Sequence, residues 1–396
     1  MKQFINKDSK ILCVMPKYSY GEKKREFSTE YQSIYYTLKS RYKNIFYFDS
    51  MNTSKKREDL NNDLIKKCSK IKPDCIFFSI AFNEIFIETL INIKKKTNPL
   101  IINWCSDDSW RYDEHSFFYS DFIDYMITTD RKAFSKYNKM GNKAILTSWG
   151  CPDKWINKPK KSTECKYDVI FIGSSYFGRK DHIRYLKSKN IKIECFGYGW
   201  NNKPIKFSEM SKKINNSKIA INFSKSRKGV LQTKARIFEV TGCGSLCITE
   251  HSNDLKKFFS KKEVITFRNL NNLEKKIKFY LKNENLRDKK VNKSFLRCKK
   301  NYTYSKILNN ILFKQKFNKR DIFEKNVSFS NNTFDKVFFN IIKFSNYILF
   351  NIFAFLISKK FSYKILRRLL FEIEWRVRGY KTYTRSGWVN KLYDIN

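Results

Sequence analysis

Histidine, glycine and proline are scarce in this sequence of 396 residues, which contains 3 His, 12 Gly and 6 Pro. Neither His182 nor His251 stands beside a plausible nucleophile, so hydrolytic triads of the Ser-His-Asp kind have little support. Alanine is scarce as well, whereas Lys, Asn, Ile, Phe and Tyr are abundant along the whole chain. This even distribution indicates a drift in composition rather than selection for one surface.

Acidic residues are also few, since 37 Asp and Glu stand against 81 Lys and Arg, for a formal net charge of +44. Such a charge usually points to nucleic acid, to an anionic membrane surface or to phosphate-bearing ligands. Because the basic residues are spread along the chain, we expect most of them on solvated faces. No recognisable nucleic-acid motif accompanies the charge, so nucleic acid is not an expected partner.

The ten cysteines include no C-x-x-C pair, and most of them lie inside apolar runs such as DCIFFSI. Cysteines in that setting behave as small buried hydrophobes. Cys243 and Cys247 are too isolated from histidine to suggest a zinc site, so neither disulfides nor a metal are expected. The N-terminal segment also lacks an apolar stretch of the kind found in signal peptides. Together with the cysteine pattern, this predicts a cytoplasmic protein.

Short apolar runs alternate with helix-like segments from residue 10 to about 150. The runs are ILCVMP, NIFYFD, DCIFFSI, LIINWC, DYMITTD and KAILTSW. Strands separated by helices indicate βαβ units and a parallel sheet. Residues 1–155 are therefore predicted to form a Rossmann-like domain.

The same alternation restarts after the turn-rich segment GCPDKWINKPKKSTECK. Its runs are YDVIFIG, IKIECFG, KIAINFS, SLCITE and EVITF, which predict a second doubly wound α/β domain over residues 156–318. Ligands of such sheets bind beyond the carboxyl ends of the strands. The functional site is therefore expected in the cleft between the two domains.

Residues 319–396 are predicted to be a helical, amphipathic and basic extension. Its window 337–358 is the most apolar in the chain and is just long enough to cross a bilayer. Polar residues at helical spacing, such as Asn340 and Lys343, predict an amphipathic helix instead. Three arrangements stay open: packing on the protein or a second subunit, contact of 337–370 with an anionic membrane surface, and a true span.

A turn rich in small residues follows the first strand of the second half. In DVIFIGSSYFGRKDH, Gly173 and Ser174 end the strand and Arg179 begins a helix. Small residues let backbone amides approach an anion closely, and a helix N-terminus favours phosphate. A purely structural turn is the alternative, because the dinucleotide fingerprint G-x-G-x-x-G is absent.

A charged helix follows in TKARIFEVTGCGSLCITE, with Lys234, Arg236 and Glu239 ahead of a Gly-Cys-Gly turn. A carboxylate at such a point can accept both hydroxyls of a ribose, and a cation one turn earlier can contact phosphate oxygens. By spacing alone, an ordinary helix with its charged residues facing water is favoured over a binding site.

The run KARIFEVTGCGSLCITEHSNDLKKFF, from Lys234 to Phe259, resembles the glycosyltransferase group 1 segment of the CgeB-like spore-maturation family. The likeness continues in FIGSSYFGRKDHIRYLKSKNIKIECFGYGW and SKIAINFS, and LIINWCSDDSWRYDEHS resembles the acceptor-side domain found with it. It covers about residues 10–312. The resemblance implies a GT-B fold, with two Rossmann-like domains facing a cleft, and transfer of a sugar from a nucleotide sugar to a hydroxyl of a glycan, lipid-linked sugar or protein.

The resemblance also implies which residues bind the donor: Gly173, Ser174, Arg179, Lys234, Arg236, Glu239, Gly242 and Gly244. In related GT-B enzymes two glutamates separated by seven residues often lie at the donor, the second of them on the ribose. Glu239 matches the second position, whereas Leu231 stands at the first. This departure weakens any transfer of a retaining mechanism, and it leaves a catalytically inactive nucleotide-sugar or glycan-binding protein as the alternative.

Asp107, Asp108 and His115 follow the predicted strand LIINWC, where side chains would face the cleft. A general base on an acceptor hydroxyl needs such a placement, and we predict Asp107 first and His115 second for this role. The alternative is that the aspartates cap the following helix.

Metal-binding chemistry has no sequence support, because no Asp-x-Asp dyad of the GT-A kind occurs. We therefore expect no metal and no other cofactor. Leaving-group charge would be stabilised by helix amides and by Arg179, Lys234 or Arg236. The expected location is the cytoplasm, including the inner face of the membrane.

Overall fold

A computed structural model describes residues 2–3, 5–176, 178–201, 205–226, 229–320 and 333–393. Residues 321–332 and 394–396, which belong to the predicted C-terminal extension, lie outside this description.

The first domain is built on a six-stranded sheet in which all neighbouring strands are parallel. Its strands are β2 (Ile11–Met15), β3 (Ile45–Asp49), β4 (Cys75–Phe78), β5 (Leu100–Cys105), β6 (Tyr125–Thr128) and β7 (Ala144–Leu146), in the order β3-β2-β4-β5-β6-β7. All residues of β2, β4 and β5 are buried, because helices cover both faces of the sheet. The six apolar runs predicted as strands are confirmed.

The helices of this domain follow the strands as predicted. They are α1 (Tyr36–Lys39), α2 (Arg57–Ile71), α3 (Ile87–Thr97), α4 (Asp108–Arg111), α5 (Phe117–Ser120) and α6 (Arg131–Lys139). Two π-helical turns, Tyr31–Tyr35 and Tyr112–Ser116, lead into α1 and α5. Both turns lie next to the edge of the sheet where the strands end, and π-helical turns are frequent near functional sites.

The second domain is a five-stranded parallel sheet in the order β12-β11-β10-β8-β9. Its elements are β8 (Tyr167–Ile172), α7 (Arg179–Ser188), β9 (Ile193–Phe196), α8 (Phe207–Asn215), β10 (Ser217–Asn222), α9 (Ala235–Gly242), β11 (Leu246–Glu250), β12 (Ile265–Phe267), α10 (Leu270–Lys282) and α11 (Glu284–Asn301). Apolar clusters fill both faces of the sheet. The two doubly wound sheets confirm the predicted α/β fold class.

The chain passes between the domains twice at one place. Cys151 N donates to Tyr302 O at 2.8 Å, and Tyr304 N donates to Cys151 O at 3.1 Å, so the two passages run side by side. The carboxylate of Asp153 accepts from Ser305 N at 3.0 Å and pairs with Arg41 at 3.0 Å. The joint is thus a small hydrogen-bonded structure rather than a loose linker.

The structure corrects the predicted end of the second domain at residue 318. After the second passage, α12 (Tyr304–Leu312) packs its apolar face into the first-domain core with Trp104. A short strand β13 (Phe317–Asn318) then pairs antiparallel with β1 (Lys2–Gln3). The sequence prediction assigned α12 and β13 to the second domain because they follow it in the chain. In the structure, the apolar surface that α12 covers belongs to the first domain.

The C-terminal extension is helical, as predicted. It comprises α13 (Thr333–Leu356), α14 (Lys359–Arg378), a 3-10 turn at Gly379–Tyr383 and α15 (Trp388–Tyr393). α13 and α14 form a hairpin with its own apolar cluster around Leu366, Leu370 and Trp388. Lys336–Leu356 is long and apolar enough to cross a membrane, and none of its most apolar window is fully buried in the protein.

Candidate active site

The site lies where the carboxyl ends of the two sheets face each other. In each sheet the strand order reverses at one point, between β2 and β4 in the first domain and between β8 and β10 in the second. The loops leaving a sheet at such a point diverge to opposite faces and open a crevice. A cavity lies at each of these two points.

The inter-domain cavity has a volume of about 310 Å³ and opens at the ends of β8 and β10. Both domains and the joint between them line it. Its lining residues are Thr29, Glu30, Ser106, Asp107, Trp149, Phe171, Ile172, Arg179, Asn222, Phe223, Gln232, Lys234, Ala235, Arg236 and Glu239. Five of the residues predicted from the sequence as catalytic or donor-binding are therefore brought together.

Three cationic side chains reach this cavity from two helix N-termini. Arg179 is the first residue of α7, and its Nη1 donates to the Ser174 carbonyl at 3.1 Å. Lys234 precedes the first turn of α9, and Arg236 lies within that turn. Burial lowers the pKa of Lys234, and the nearby Asp107 carboxylate opposes this effect. Partly desolvated cations at helix N-termini form a strongly anion-attracting surface.

Glu239 lies one turn further along α9 and is 4% exposed. Its Oε2 is 2.6 Å from Nη1 of Arg236, and burial raises its pKa while the charge of Arg236 opposes the rise. A buried carboxylate held by a single cation keeps acceptor capacity for further donors, since each carboxylate oxygen can accept two hydrogen bonds. The position suits a ligand that offers hydroxyl groups.

Opposite these residues, the first domain contributes two carboxylates, Asp107 and Glu30. Asp107 caps α4 with its backbone only, because its carbonyl accepts from Trp110 N and Arg111 N while its side chain makes no capping bond. Glu30 accepts from Ser106 Oγ at 2.8 Å, and burial together with the Asp107 charge raises its pKa. The helix-capping alternative for the Asp107 carboxylate is therefore not what the structure shows.

Asp108, by contrast, is part of the first-domain core. Its Oδ2 accepts from Tyr137 Oη at 3.0 Å, and burial raises its pKa to about 6. The backbone turns between the two aspartates, so only Asp107 faces the cleft.

A second cavity, of about 270 Å³, lies within the first domain at the ends of β2, β4 and β5. Asp107 and Glu30 line it as well, so they form the wall between the two cavities. Arg111 lines it from α4 and donates to the Ala81 carbonyl. A molecule in this first-domain cavity would meet a molecule in the inter-domain cavity at the two carboxylates.

The environment of His115 corrects its predicted role as a second candidate for general base. The ring lies in the wall of the first-domain cavity, but it is 3% exposed and packs against Tyr119 and Tyr383. Its Nε2 donates to the Phe82 carbonyl at 2.6 Å. Burial, with the charge of Arg111 adding to it, holds the pKa of His115 well below its usual range. A ring so enclosed supports the loop after β4 rather than accepting a proton from a ligand.

Gly173 and Ser174 act on the site indirectly, in contrast to the predicted direct contact. Gly173 N donates to Phe196 O at 2.8 Å and its carbonyl accepts from Trp200 Nε1 at 2.7 Å, so both backbone groups are already used. Ser174 orients Arg179 through its carbonyl. The side chain of Arg179, rather than the glycine amide, reaches the cavity.

Gly242 and Gly244 were predicted as donor-binding residues, and the structure places them away from both cavities. They lie at the far end of α9, where a Cβ on Gly242 would stand 2.5 Å from Cys151 Sγ. Gly244 has a φ of 76° and packs against Pro159. Glycine is needed here for close packing of α9 on the joint between the domains.

Sequence reasoning missed two residues of the cleft, Glu30 and Gln232. Glu30 follows the loop after β2, and β2 lies where the strand order of the sheet reverses. Because ligands of such sheets bind at this point, the topology alone could have identified Glu30 as a candidate. Gln232 accepts from Ser109 Oγ of the first domain and so connects the two sides of the cleft. Its neighbour Leu231, at the position of the family's first glutamate, is 44% exposed and lines a small cleft beside Ser109.

Among the residues that the structure describes, no group of three or more His, Cys, Asp or Glu side chains is arranged to hold a metal ion. The charges in the inter-domain cavity are mixed: the second domain contributes three cations and the Glu239 carboxylate, and the first domain contributes the carboxylates of Glu30 and Asp107. This arrangement can bind an anionic group on one side and act on a neutral hydroxyl on the other.

Comparison with known proteins finds a family match for part of the chain. Residues 179–312 match a family model described as glycosyl transferase-like. The matched segment begins at Arg179 and ends with α12, so it includes α9 and the three cations of the inter-domain cavity. No curated protein matches the chain.

Solved structures share the architecture at low sequence identity. The chain resembles HepE of Anabaena in complex with UDP-glucose, with a TM-score of 0.51 and 9% identity over 76% of this chain and 98% of that one. It also resembles sucrose-phosphate synthase of Thermosynechococcus elongatus, with a TM-score of 0.52 and 9% identity over 76% and 97% of the two chains. At this identity the likeness establishes the fold, which is GT-B.

Proposed function

We propose that this glycosyltransferase of the GT-B fold binds a nucleotide-sugar donor in the inter-domain cavity and transfers the sugar to a hydroxyl of an acceptor in the first-domain cavity. The observation that carries the proposal is that Arg179, Lys234 and Arg236 line the same cavity as Glu239 and face Asp107. The three cations can bind the diphosphate of the donor, and the buried carboxylate of Glu239 can accept hydrogen bonds from its ribose. Asp107 can accept the proton of the acceptor hydroxyl.

In the proposed reaction, the bond between the sugar and the diphosphate breaks while the acceptor oxygen bonds to the sugar. Asp107 takes the proton of the acceptor hydroxyl, and the leaving diphosphate is stabilised by the three cations and the N-terminus of α7. Asp107 is favoured over Glu30 as the base because Ser106 Oγ already donates a hydrogen bond to an oxygen of Glu30.

Finer assignments extend this proposal. The segment from Lys234 to Phe259 supports a CgeB-like subtype, and a glycan, a lipid-linked sugar or a protein are the acceptor classes. The ten free cysteines, nine of them buried, support a cytoplasmic location.

The proposal is tested with the purified full-length protein and a panel of sugar nucleotides, beginning with UDP sugars because HepE holds UDP-glucose. A true donor should raise the melting temperature, since it binds only the folded state, and should be slowly hydrolysed to free nucleotide. The matched free nucleotides and free sugars are the controls. Stabilisation without turnover would favour the inactive binding protein, and no stabilisation by any sugar nucleotide would overturn the proposal.

Activity is expected to survive chelation, because cationic side chains take the place that a divalent metal holds in other transferases. Nucleotide release should be the same, within about twofold, before and after treatment with EDTA, against the roughly tenfold or larger loss expected when a needed charge is removed. Loss of activity in EDTA that returns on addition of Mg²⁺ or Mn²⁺ would contradict metal independence.

A further inference from the structure

The outer face of α13 carries a continuous row of exposed apolar side chains, here called the outer stripe. Its members are spaced by three or four residues and so share one face of the helix. They are Val337, Ile341, Phe344, Ile348, Ile352 and Phe355. Phe344 is 66% exposed and Phe355 is 91% exposed. Isolated surface hydrophobes are ordinary, but a row of six marks an interaction surface.

The opposite face of α13 is already occupied. Phe338, Ile342 and Phe353 pack into the apolar cluster of the hairpin, and Asn346 Oδ1 accepts from Tyr393 Oη of α15 at 2.6 Å. The sequence pattern predicts one apolar and one polar face for this helix. In the structure α13 is apolar on two faces, and only the inner one is covered.

From residue 336 to residue 371, every charged side chain of α13 and α14 is basic. Between residues 336 and 371 the sequence contains no Asp or Glu and seven basic residues: Lys336, Lys343, Lys359, Lys360, Lys364, Arg367 and Arg368. The five lysines are exposed. Apolar side chains flanked by exposed lysines suit a surface with an apolar interior and anionic headgroups.

We propose that the outer stripe and its flanking lysines dock on an anionic lipid bilayer, with α13 lying in the interface. A second copy of the chain fits less well, because it would bring the same lysines against each other. A span through the bilayer fits less well because it would break the packing of Phe338, Ile342 and Phe353 and the bond between Asn346 and Tyr393. Insertion of the outer stripe alone leaves these contacts intact.

The hairpin is joined firmly to the first domain, so docking would orient the active site. Arg368 Nη2 lies 3.4 Å from Glu114 Oε2, and Tyr383 Oη donates to the Glu114 carbonyl. Glu114 belongs to the turn between Arg111 and His115, which both line the first-domain cavity. If that cavity takes the acceptor, as the proposed function holds, an acceptor carried by the membrane is the class that this arrangement favours.

The experiment is co-sedimentation of the full-length protein with vesicles of phosphatidylcholine alone or mixed with phosphatidylglycerol. We expect binding to the anionic vesicles that weakens as salt is raised. The double variant Phe344→Glu/Ile348→Glu should lower the partition coefficient by at least about tenfold. The triple variant Lys359→Gln/Lys360→Gln/Lys364→Gln, which keeps the stripe, should lose the preference for anionic lipid.

Leu296→Glu is the matched control, because Leu296 is an apolar residue 63% exposed on α11 of the second domain, and it should bind like the unaltered chain. Donor-induced stabilisation should be equal in all four proteins, so failure of vesicle binding is distinguishable from failure of the proposed function. Absence of binding, or equal binding by the stripe variant, would overturn the proposal. So would a self-association that the stripe variant abolishes, or resistance of the native protein to alkaline extraction from membranes.

Discussion

Replacing Asp107 by asparagine is expected to lower kcat of sugar transfer by about 10²- to 10⁴-fold, the usual contribution of a general base. Asparagine keeps the shape of the side chain and cannot accept the proton. Donor affinity should change little, because the donor contacts lie on the second domain. The measurement is steady-state transfer or donor hydrolysis together with donor binding by calorimetry.

Asp113→Asn is the control for this prediction. Asp113 belongs to the turn that follows α4, and its exposed carboxylate pairs with Lys136 at 2.8 Å, outside both cavities. Glu30→Gln tests the alternative base on the same wall. A kcat for Asp107→Asn equal to that of the control would exclude Asp107 from proton transfer, and a large loss in Glu30→Gln alone would transfer the role to Glu30.

Replacing Glu239 by alanine is expected to weaken donor binding by roughly 10- to 150-fold, since hydrogen bonds to a charged group contribute about 1.5–3 kcal/mol. The variant also leaves Arg236 without its ion pair, and Glu239→Gln separates the two effects because the amide still accepts from Arg236 and from a ribose hydroxyl. Calorimetric titration with the donor found in the panel measures the change.

Glu263→Ala is matched to this variant. Glu263 is another glutamate of the second domain with little exposure, and its Oε1 pairs with Arg297 Nε at 2.6 Å, away from the cleft. Both variants lose an ion pair to arginine, so their melting temperatures report the structural cost of that loss. Donor affinity that is unchanged in Glu239→Ala, in a protein that melts like the Glu263 variant, would remove Glu239 from the donor site.

Most of the fold could be predicted from the positions of short apolar runs in the sequence. Eleven apolar runs predict strands of two parallel sheets, and all eleven are strands, because a strand covered on both faces must be apolar along its length. The pattern could not show which domain α12 would cover. The pattern of an amphipathic helix shows which of its faces is buried, but not which part of the protein that face packs against.

The sequence pattern correctly placed the side chains at the start of α7 and α9 in one cavity, and their role in donor binding stays a prediction. Arg179, Lys234, Arg236 and Glu239 line one cavity, as the motif suggested. Small residues were predicted less well. A glycine is needed both where a backbone approaches an anion and where two elements pack closely, and Gly242 serves the second purpose against Cys151.

Hydrophobic periodicity and helix starts are local properties of the chain, so the amino-acid sequence is enough to predict the two α/β domains, the crevice between them and the charged helix that lines it. Three further features follow from long-range packing: Glu30 and Asp107 share a wall, His115 is enclosed, and the outer stripe of α13 is uncovered. Each of these features depends on contacts between segments that are far apart in the chain. Those contacts set the solvent exposure of a side chain, which a local sequence pattern does not contain.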